Sequence, residues 1–496
     1  MTPRLRALAL AASAAALLLL AGAASADGGR RTRCEAVLAR LAGLLADAGC
    51  VESADLTTAN PDTTPANNAI PGLPAFAFTP RTDRDVIAPS AARRPPIDRA
   101  VPGLQIQARF AGDPTGQARF LLRLPDEWNG GLVVAGASGT RSEFNGDFAW
   151  SDHVLQKGYA YASQNKGVLN LFLAGVSPTP PADPLACRLG PSSTVWVHFY
   201  DNDPDQPFTR WAHYMAEASR VARRGVEARY GRRPRHTYAV GTSNGGYQVR
   251  RAVESYPQLF DGGVDWEGTF VEEAAPNLLT DLPPAVLNWP DYVSSGFDPG
   301  STAARNIRAA GYPPDIVQSP AETLWLRHSA AFWEVTQCQW QKRLDPTYDT
   351  YGAGAGDYNY IARLSASDVG EELAAFATTG RIRRPLVTVA GTMDSLLPID
   401  RHARAYARLV RSPGGDDGDR PAYRLYEVQN GNHIETYADA YPQLELIMPH
   451  AQRAFDLLAA HVERGAGLPP DQCIPRGGAI AEAPSRPGHC PTLLAP

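Results

Sequence analysis

The chain has no surplus of basic residues. Lys+Arg total 47 against 52 Asp+Glu, a net charge of −5; a nucleic-acid-binding protein would show a basic excess or stripe, so nucleic acid is not an expected partner. None of its six cysteines stands in C-x-x-C spacing, which argues against a zinc ribbon or a dithiol redox site. No internal repeat is present, which excludes a solenoid or a propeller. Beyond the first 26 residues no run of 18 apolar residues is free of charge, so no stable membrane insertion is expected. Proline and glycine, at 43 and 44 residues, make the chain loop-rich but short of disordered. What it does have is ordinary for a globular protein with a sizeable core: 44% hydrophobic and 20% charged residues. Its 496 residues allow about three domains, or one large domain with insertions.

The N-terminal 26 residues read as a secretory signal peptide. Arg4 and Arg6 form the charged start, residues 7–24 the apolar run, and Ala24-Ser25-Ala26 the small-x-small cleavage site. No cysteine sits where a lipoprotein signal would need one. Secretion, to an extracellular or periplasmic space, makes disulfides the default for Cys34, Cys50, Cys187, Cys338, Cys473 and Cys490. Proximity favours Cys34–Cys50 and Cys473–Cys490, which leaves Cys187–Cys338.

Residues 27–100 read as an N-terminal extension: an amphipathic helix over 34–50, then a Pro/Thr/Asn-rich coil over 57–96 lying across a domain. Residues 105–110 and 118–124 alternate apolar and polar around Asp113-Pro114-Thr115-Gly116, a hairpin signal. Buried-type strands follow at 131–136, 159–163, 237–240 and 262–265, with helices over 208–230 and 245–256. This alternation predicts a mostly parallel sheet covered by helices on both faces. It breaks at 266–380, a Pro- and Trp-rich stretch read as a mostly helical cap insertion, and resumes with strands at 386–390 and 423–428 and a helix at 441–464. The core is therefore assigned to 101–265 and 381–466, and 467–496 to a C-terminal tail.

The strongest signal is Gly241-Thr242-Ser243-Asn244-Gly245-Gly246. It fits G-x-S-x-G directly after a strand and opens a helix. A turn this sharp strains the serine backbone, lifts its hydroxyl above the sheet edge and sets it over a helix N-terminus, where developing negative charge is favoured. A serine nucleophile needs a base, and the base an orienting acid. In this architecture the chain order is Ser, acid, His. Asp394 stands just past the strand at 386–390, and His433 in the loop after 423–428. Both lie at the carboxyl edge of the sheet, where open α/β sheets bind ligands. His402, His450 and His461 fall in expected helices, and His236 precedes the nucleophile strand at its far end. Asp265 and Glu267 are the alternative acids, while Asp400 and Glu435 read as solvated. For the oxyanion, the Asn244 N–H is one expected donor. The second is expected from the loop Ala137-Ser138-Gly139-Thr140, as the N–H of Ala137 or Ser138.

GTSNGG, GTMDSLLP and NGNH resemble, in order and spacing, the nucleophile elbow, acid loop and histidine loop of the α/β-hydrolase superfamily. The resemblance covers roughly 101–265 and 381–466 and implies that fold. Within it, the signal peptide, the large insertion before the acid and the tail HVERGAGLPPDQC are similar to secreted tannase/feruloyl-esterase-like and 3-hydroxybutyrate-oligomer-hydrolase-like serine esterases. The tannase relatives carry a cysteine beside the nucleophile and another beside the histidine; Thr242 and Asn432 occupy those places here.

These readings converge on a secreted serine carboxylester hydrolase with the triad Ser243, Asp394 and His433, working without metal or organic cofactor. Its expected substrates are small or oligomeric extracellular esters, among them hydroxyalkanoate oligomers and plant-derived aryl esters. A secreted serine peptidase of the same fold is the alternative, and a catalytically inert binding module the third reading. The insertion holds Trp289, Trp325, Trp333 and Trp340, with Trp266 at its start; these serve either as pocket lining or as the insertion's own core. Residues 201–205 (DNDPD) lack the mid-loop glycine and closing glutamate of a calcium loop and read as a solvated turn.

Overall fold

The structure, a computed structural model, describes residues 32–66, 80–85, 87–139, 142–168, 172–191, 193–198, 208–348, 358–412 and 421–496. The expected signal peptide, the 201–205 turn and Thr140 lie outside these residues. Among the described residues no helix is long and apolar enough to cross a membrane.

Ten strands form the central sheet: β1 (Leu45–Ser53), β2 (Gly103–Phe110), β3 (Arg119–Pro125), β4 (Gly131–Gly136), β5 (Ala160–Gln164), β6 (His236–Thr242), β7 (Gly262–Trp266), β8 (Leu386–Gly391), β9 (Tyr423–Val428) and β10 (Gln472–Ile474). Their spatial order is β1-β2-β3-β5-β4-β6-β7-β8-β9-β10. β1, β2 and β3 pair antiparallel, and β3 joins β5 antiparallel. From β5 to β10 every pairing is parallel. The mostly parallel sheet flanked by helices is the class expected for an α/β-hydrolase fold.

Strands buried on both faces read as continuous apolar runs, and β4, β7 and β8 are buried along their whole length. The strand period of two sends alternate side chains to opposite layers. Leu132, Val134 and Ala239 join the layer built from α1 (Arg33–Leu41), α2 (Thr209–Tyr230), α3 (Asn244–Ser255) and α4 (Ala403–Arg411). Val133, Ala135, Tyr238 and Val240 join the layer under α5 (Met448–Arg464). α2 stops at Gly231, whose left-handed φ of 72° lets its N–H return to the Glu227 carbonyl.

The helix expected over 34–50 is corrected. Only Arg33–Leu41 is helical; the chain then turns at Gly43 (φ 79°) and runs as edge strand β1 against β2. The leucine spacing suggests one continuous helix, but that turn and strand pairing override it, and the extension adds a strand to the sheet. The strand at 423–428 is likewise not the last, because β10 pairs beyond it. The closing helix begins at Met448 rather than 441.

The three disulfides are Cys34–Cys50, Cys187–Cys338 and Cys473–Cys490, the pairing that proximity favoured. Among the described residues, those of 267–385 add no strand to the central sheet. Their aromatic core contains Trp289, Trp325, Trp333 and Trp340 and is shared with Val168, Cys187, Val197, Phe208 and Trp211 from before β6. Trp325, Trp333 and Trp340 are buried inside it, and Trp266 belongs to β7 instead.

Candidate active site

Parallel strands point their carboxyl ends the same way, so the loops after β4, β6, β7, β8 and β9 gather on one edge. Ser243 follows β6 with φ 58° and ψ −123°, outside the ordinary regions for a side-chain-bearing residue. Two tight backbone approaches hold that turn. A Cβ on Gly245 would lie 2.5 Å from the Gly136 oxygen and 2.7 Å from its carbon, and a Cβ on Gly241 would meet the Gly245 backbone. The elbow therefore sits directly against the 136–137 peptide that begins the expected oxyanion loop.

The loop after β4 is fixed from behind by a residue that the sequence reading missed. Lys166 is fully buried, and its Nζ donates to the carbonyls of Ala137 (2.9 Å) and Ser138 (2.7 Å). The signal lay in the polar run Gln164-Asn165-Lys166 closing an otherwise apolar strand. Of the two expected donors, the N–H of Ser138 is engaged inside the fold, by Asn145 Oδ1 at 3.2 Å. Buried Asp83, from the N-terminal extension, accepts from the Ser142 N–H, and its carbonyl accepts from Asn145 Nδ2.

The acid and histidine loops are stitched together. Met393 N–H donates to the Gly431 carbonyl (2.7 Å), and Asn430 N–H to Thr392 Oγ1 (2.9 Å). Asn432 Nδ2 reaches the Met393 carbonyl at 2.6 Å and lies 3.4 Å from Nε2 of His328, which comes from the insertion. His433 Nδ1 then meets Asp394 Oδ2 at 2.8 Å, with both side chains buried. The other carboxylate oxygen of Asp394 accepts from the N–H groups of Leu396 (2.8 Å) and Leu397 (2.7 Å). Burial alone would raise the Asp394 carboxyl; the adjacent imidazole and these N–H groups reverse that and hold it below the usual carboxylate range.

Glu267 adjoins both parts of the site. The Ser243 N–H donates to the Trp266 carbonyl (2.9 Å), one residue before it in the chain. Its Oε2 lies 3.5 Å from the same His433 Nδ1, and its Oε1 accepts the Gly391 N–H at 2.8 Å. Burial, and next the Asp394 charge, push its carboxyl well above the usual range. Among the described residues no hydrogen bond joins the Ser243 hydroxyl to His433; such contacts are often long before substrate is bound.

Asp265 is not an orienting acid. It is bound to Arg250 Nε (2.6 Å), Thr388 and the Gly268 N–H. Asp400 is exposed, as expected. Glu435 is corrected: it is buried, accepts the N–H groups of Ile447 and Met448 at the start of α5, and burial pushes its carboxyl up to about 8. Its place at a helix start, 13 residues upstream of that helix, was set by tertiary packing. His402 stands buried at the N-cap of α4 and takes the Phe270 N–H on Nδ1 at 3.0 Å. His450 and His461 lie within α5, and His236 opens β6 at the far end of the strand from Ser243.

Glu267, Asp394 and His433 bring one ligand-type atom each within 4.8 Å of one another. Nδ1 is engaged by Asp394, Asp394 Oδ1 by two amides, and the surroundings of Glu267 favour its protonated form, which does not ligate metal. The set reads as an acid–imidazole group rather than a metal cage.

Residues 349–495 match the family described as 3HB-oligomer hydrolase. That stretch contains Asp394, His433 and the tail, but not Ser243. A D-(-)-3-hydroxybutyrate oligomer hydrolase of Burkholderia thailandensis is 29% identical over 146 residues, 28% of this chain and 20% of its own length. One from Ralstonia pickettii is 34% identical over 134 residues, 24% of this chain and 18% of its own. The chain thus spans about a fifth of the length of the curated relatives it matches. Among solved structures, an esterase from Aspergillus oryzae is 14% identical with a TM-score of 0.48, covering 85% of this chain and 87% of its own. Feruloyl esterase B from the same organism is 13% identical with a TM-score of 0.43, covering 85% and 88%.

Proposed function

We propose that this chain is a secreted serine ester hydrolase acting through an acyl-enzyme. The observation that carries the reading is the 2.8 Å Asp394–His433 contact on the sheet edge where Ser243 stands in a strained elbow. With Nδ1–H held by the Asp394 carboxylate, the imidazole presents Nε2 as a base. Nε2 takes the Ser243 proton as the hydroxyl oxygen attacks the ester carbonyl. The N–H groups of Asn244 and Ala137 receive the oxyanion. Collapse of the tetrahedral intermediate expels the alkoxide, which takes the proton from Nε2. Water then repeats the sequence on the acyl-Ser243 ester, releasing the acid and restoring the hydroxyl.

The substrates that fit best are short hydroxyalkanoate oligomers, in keeping with the 3-hydroxybutyrate oligomer hydrolases that the acid, histidine and tail segments are similar to. Three disulfides and the N-terminal signal pattern support secretion. We take 266–380 as a cap over the serine, with Val168, Cys187, Val197, Phe208 and Trp211 packed into it. Ser243→Ala should lower kcat on p-nitrophenyl butyrate and on 3-hydroxybutyrate oligomers by about 10⁴-fold or more, with the unfolding midpoint unchanged. Retained turnover would remove Ser243 from the mechanism.

A further inference from the structure

Two carboxyls converge on one imidazole nitrogen, and the reaction as proposed uses only one of them. Asp394 Oδ2 is 2.8 Å from His433 Nδ1, and Glu267 Oε2 is 3.5 Å from the same atom. They arrive from different strands, Asp394 past the end of β8 and Glu267 directly past β7, the immediate neighbour of the nucleophile strand. Glu267 is not there by default. Its backbone takes φ 51°, a conformation that is costly for a residue with a side chain. It is also almost fully buried. A buried carboxyl with no partner for one oxygen is expensive to keep, and among the described residues Glu267 Oε2 has no hydrogen-bond partner. An apolar residue would avoid that cost.

We infer that Glu267 is a second positioning residue for the catalytic imidazole, a reserve acid that shares the Nδ1 side of His433 with Asp394. The inference rests on the serine-hydrolase reading above. Glu267 Oε1 is anchored by the Gly391 N–H of β8, so Oε2 is the oxygen free to approach. Three ionisable groups face it: Asp394 from the loop after β8, and His433 and Glu435 from the loop after β9. While Asp394 carries its charge, that charge and burial together keep the proton on Glu267, and Asp394 alone holds Nδ1–H. Without the Asp394 charge, Glu267 loses its proton more readily, and its carboxylate is already within about an ångström of hydrogen-bond distance.

The test uses the full mature chain and p-nitrophenyl butyrate across pH 5–9. The variants are Glu267→Gln, Asp394→Ala, the two combined, and His433→Ala. Glu267→Gln alone should lower kcat a few-fold at neutral pH with KM nearly unchanged. Removing the sole acid of such a triad costs about 10⁴-fold; with Glu267 in reserve, Asp394→Ala should lose only about 10²-fold. Its residual activity should climb with pH as Glu267 ionises. The double variant should lose about a further 10²-fold, and that climb with it. Equal kcat and equal pH profiles for Asp394→Ala and the double variant, both folded by near-ultraviolet circular dichroism, would overturn the inference and leave the serine mechanism standing. Unimpaired turnover in His433→Ala would instead sink the mechanism itself. Asp394→Asn keeps the acceptor for Leu396 and Leu397, so it supplies a second background should the alanine variant not fold; the same dependence on Glu267 is expected there.

Discussion

The carboxyl edge of the sheet and the segment between β7 and β8 are built on different terms. The edge is backbone against backbone: Gly245 on Gly136, Gly241 on Gly245, Gly391 on Gly431. The insertion is side chain against side chain. Trp289 meets Trp333 edge-on with centroids 5.6 Å apart, Tyr292 meets Trp325 at 5.1 Å, and Phe208 meets Trp340 at 4.9 Å. Close backbone contact tolerates no added atom but fixes the loops to a few tenths of an ångström. Aromatic packing tolerates repacking and sets stability more than geometry.

The sharpest way to break this contrast is Gly245→Ala. Its methyl would press on the Gly136 carbonyl, displacing either the elbow or the oxyanion loop, and a shift near 1 Å costs about 10²-fold in rate. Steady-state kcat beside an unchanged circular dichroism spectrum is the check. Lys166→Met should follow, lowering kcat by up to about 10²-fold with a smaller change in KM, because the carbonyls of Ala137 and Ser138 lose the donor that sets their peptide planes. An effect on KM alone would move Lys166 from the chemistry to substrate binding. In the insertion, Trp340→Ala should cost about 3–5 kcal/mol in denaturant unfolding while the folded enzyme keeps most of its kcat. A large kcat loss there would show that the two regions are not separable.

A separate effect, on pH dependence alone, concerns Glu435. Burial raises its folded-state carboxyl to about 8 from an ordinary 4.5. Between those values the folded chain keeps a proton that the unfolded chain has lost, so its contribution to stability falls as pH rises, by at most about 1.4 kcal/mol per pH unit. Glu435→Gln has no such proton. Its stability relative to the parent should therefore improve from pH 5 to pH 8 in chemical denaturation, and a flat difference would contradict the assignment.

The same contrast explains what could be read from the sequence. The elbow, the acid loop and the histidine loop follow short-range rules of turn chemistry, and the His433–Asp394 contact joins residues that those rules put on one edge. Their glycines are dictated locally and so are visible. β1 was misread because Leu38, Leu41, Leu44 and Leu45 carry a helical period, while the decision was made by pairing with β2, more than fifty residues away. Glu435 escaped because nothing near it in the chain shows that it is buried, and for Lys166 the one local sign is the polar run that closes β5. The packing of Val197, Phe208 and Trp211 with the aromatics between β7 and β8 was hinted at only by the Cys187–Cys338 bridge, since aromatic packing leaves no period when its members come from distant segments.

The tail finishes the sheet as well as the site. Cys473 N–H donates to the Arg486 carbonyl (3.0 Å) and Gly488 N–H to that of Asp471 (2.9 Å), so the outer side of β10 is occupied by the chain's own residues, pinned there by Cys473–Cys490. An uncovered border strand is a template for another polypeptide. At this border the template is already used, whereas β1 pairs, among the described residues, with β2 alone and shows Val51 to solvent, so of the two borders it is the one that keeps its template.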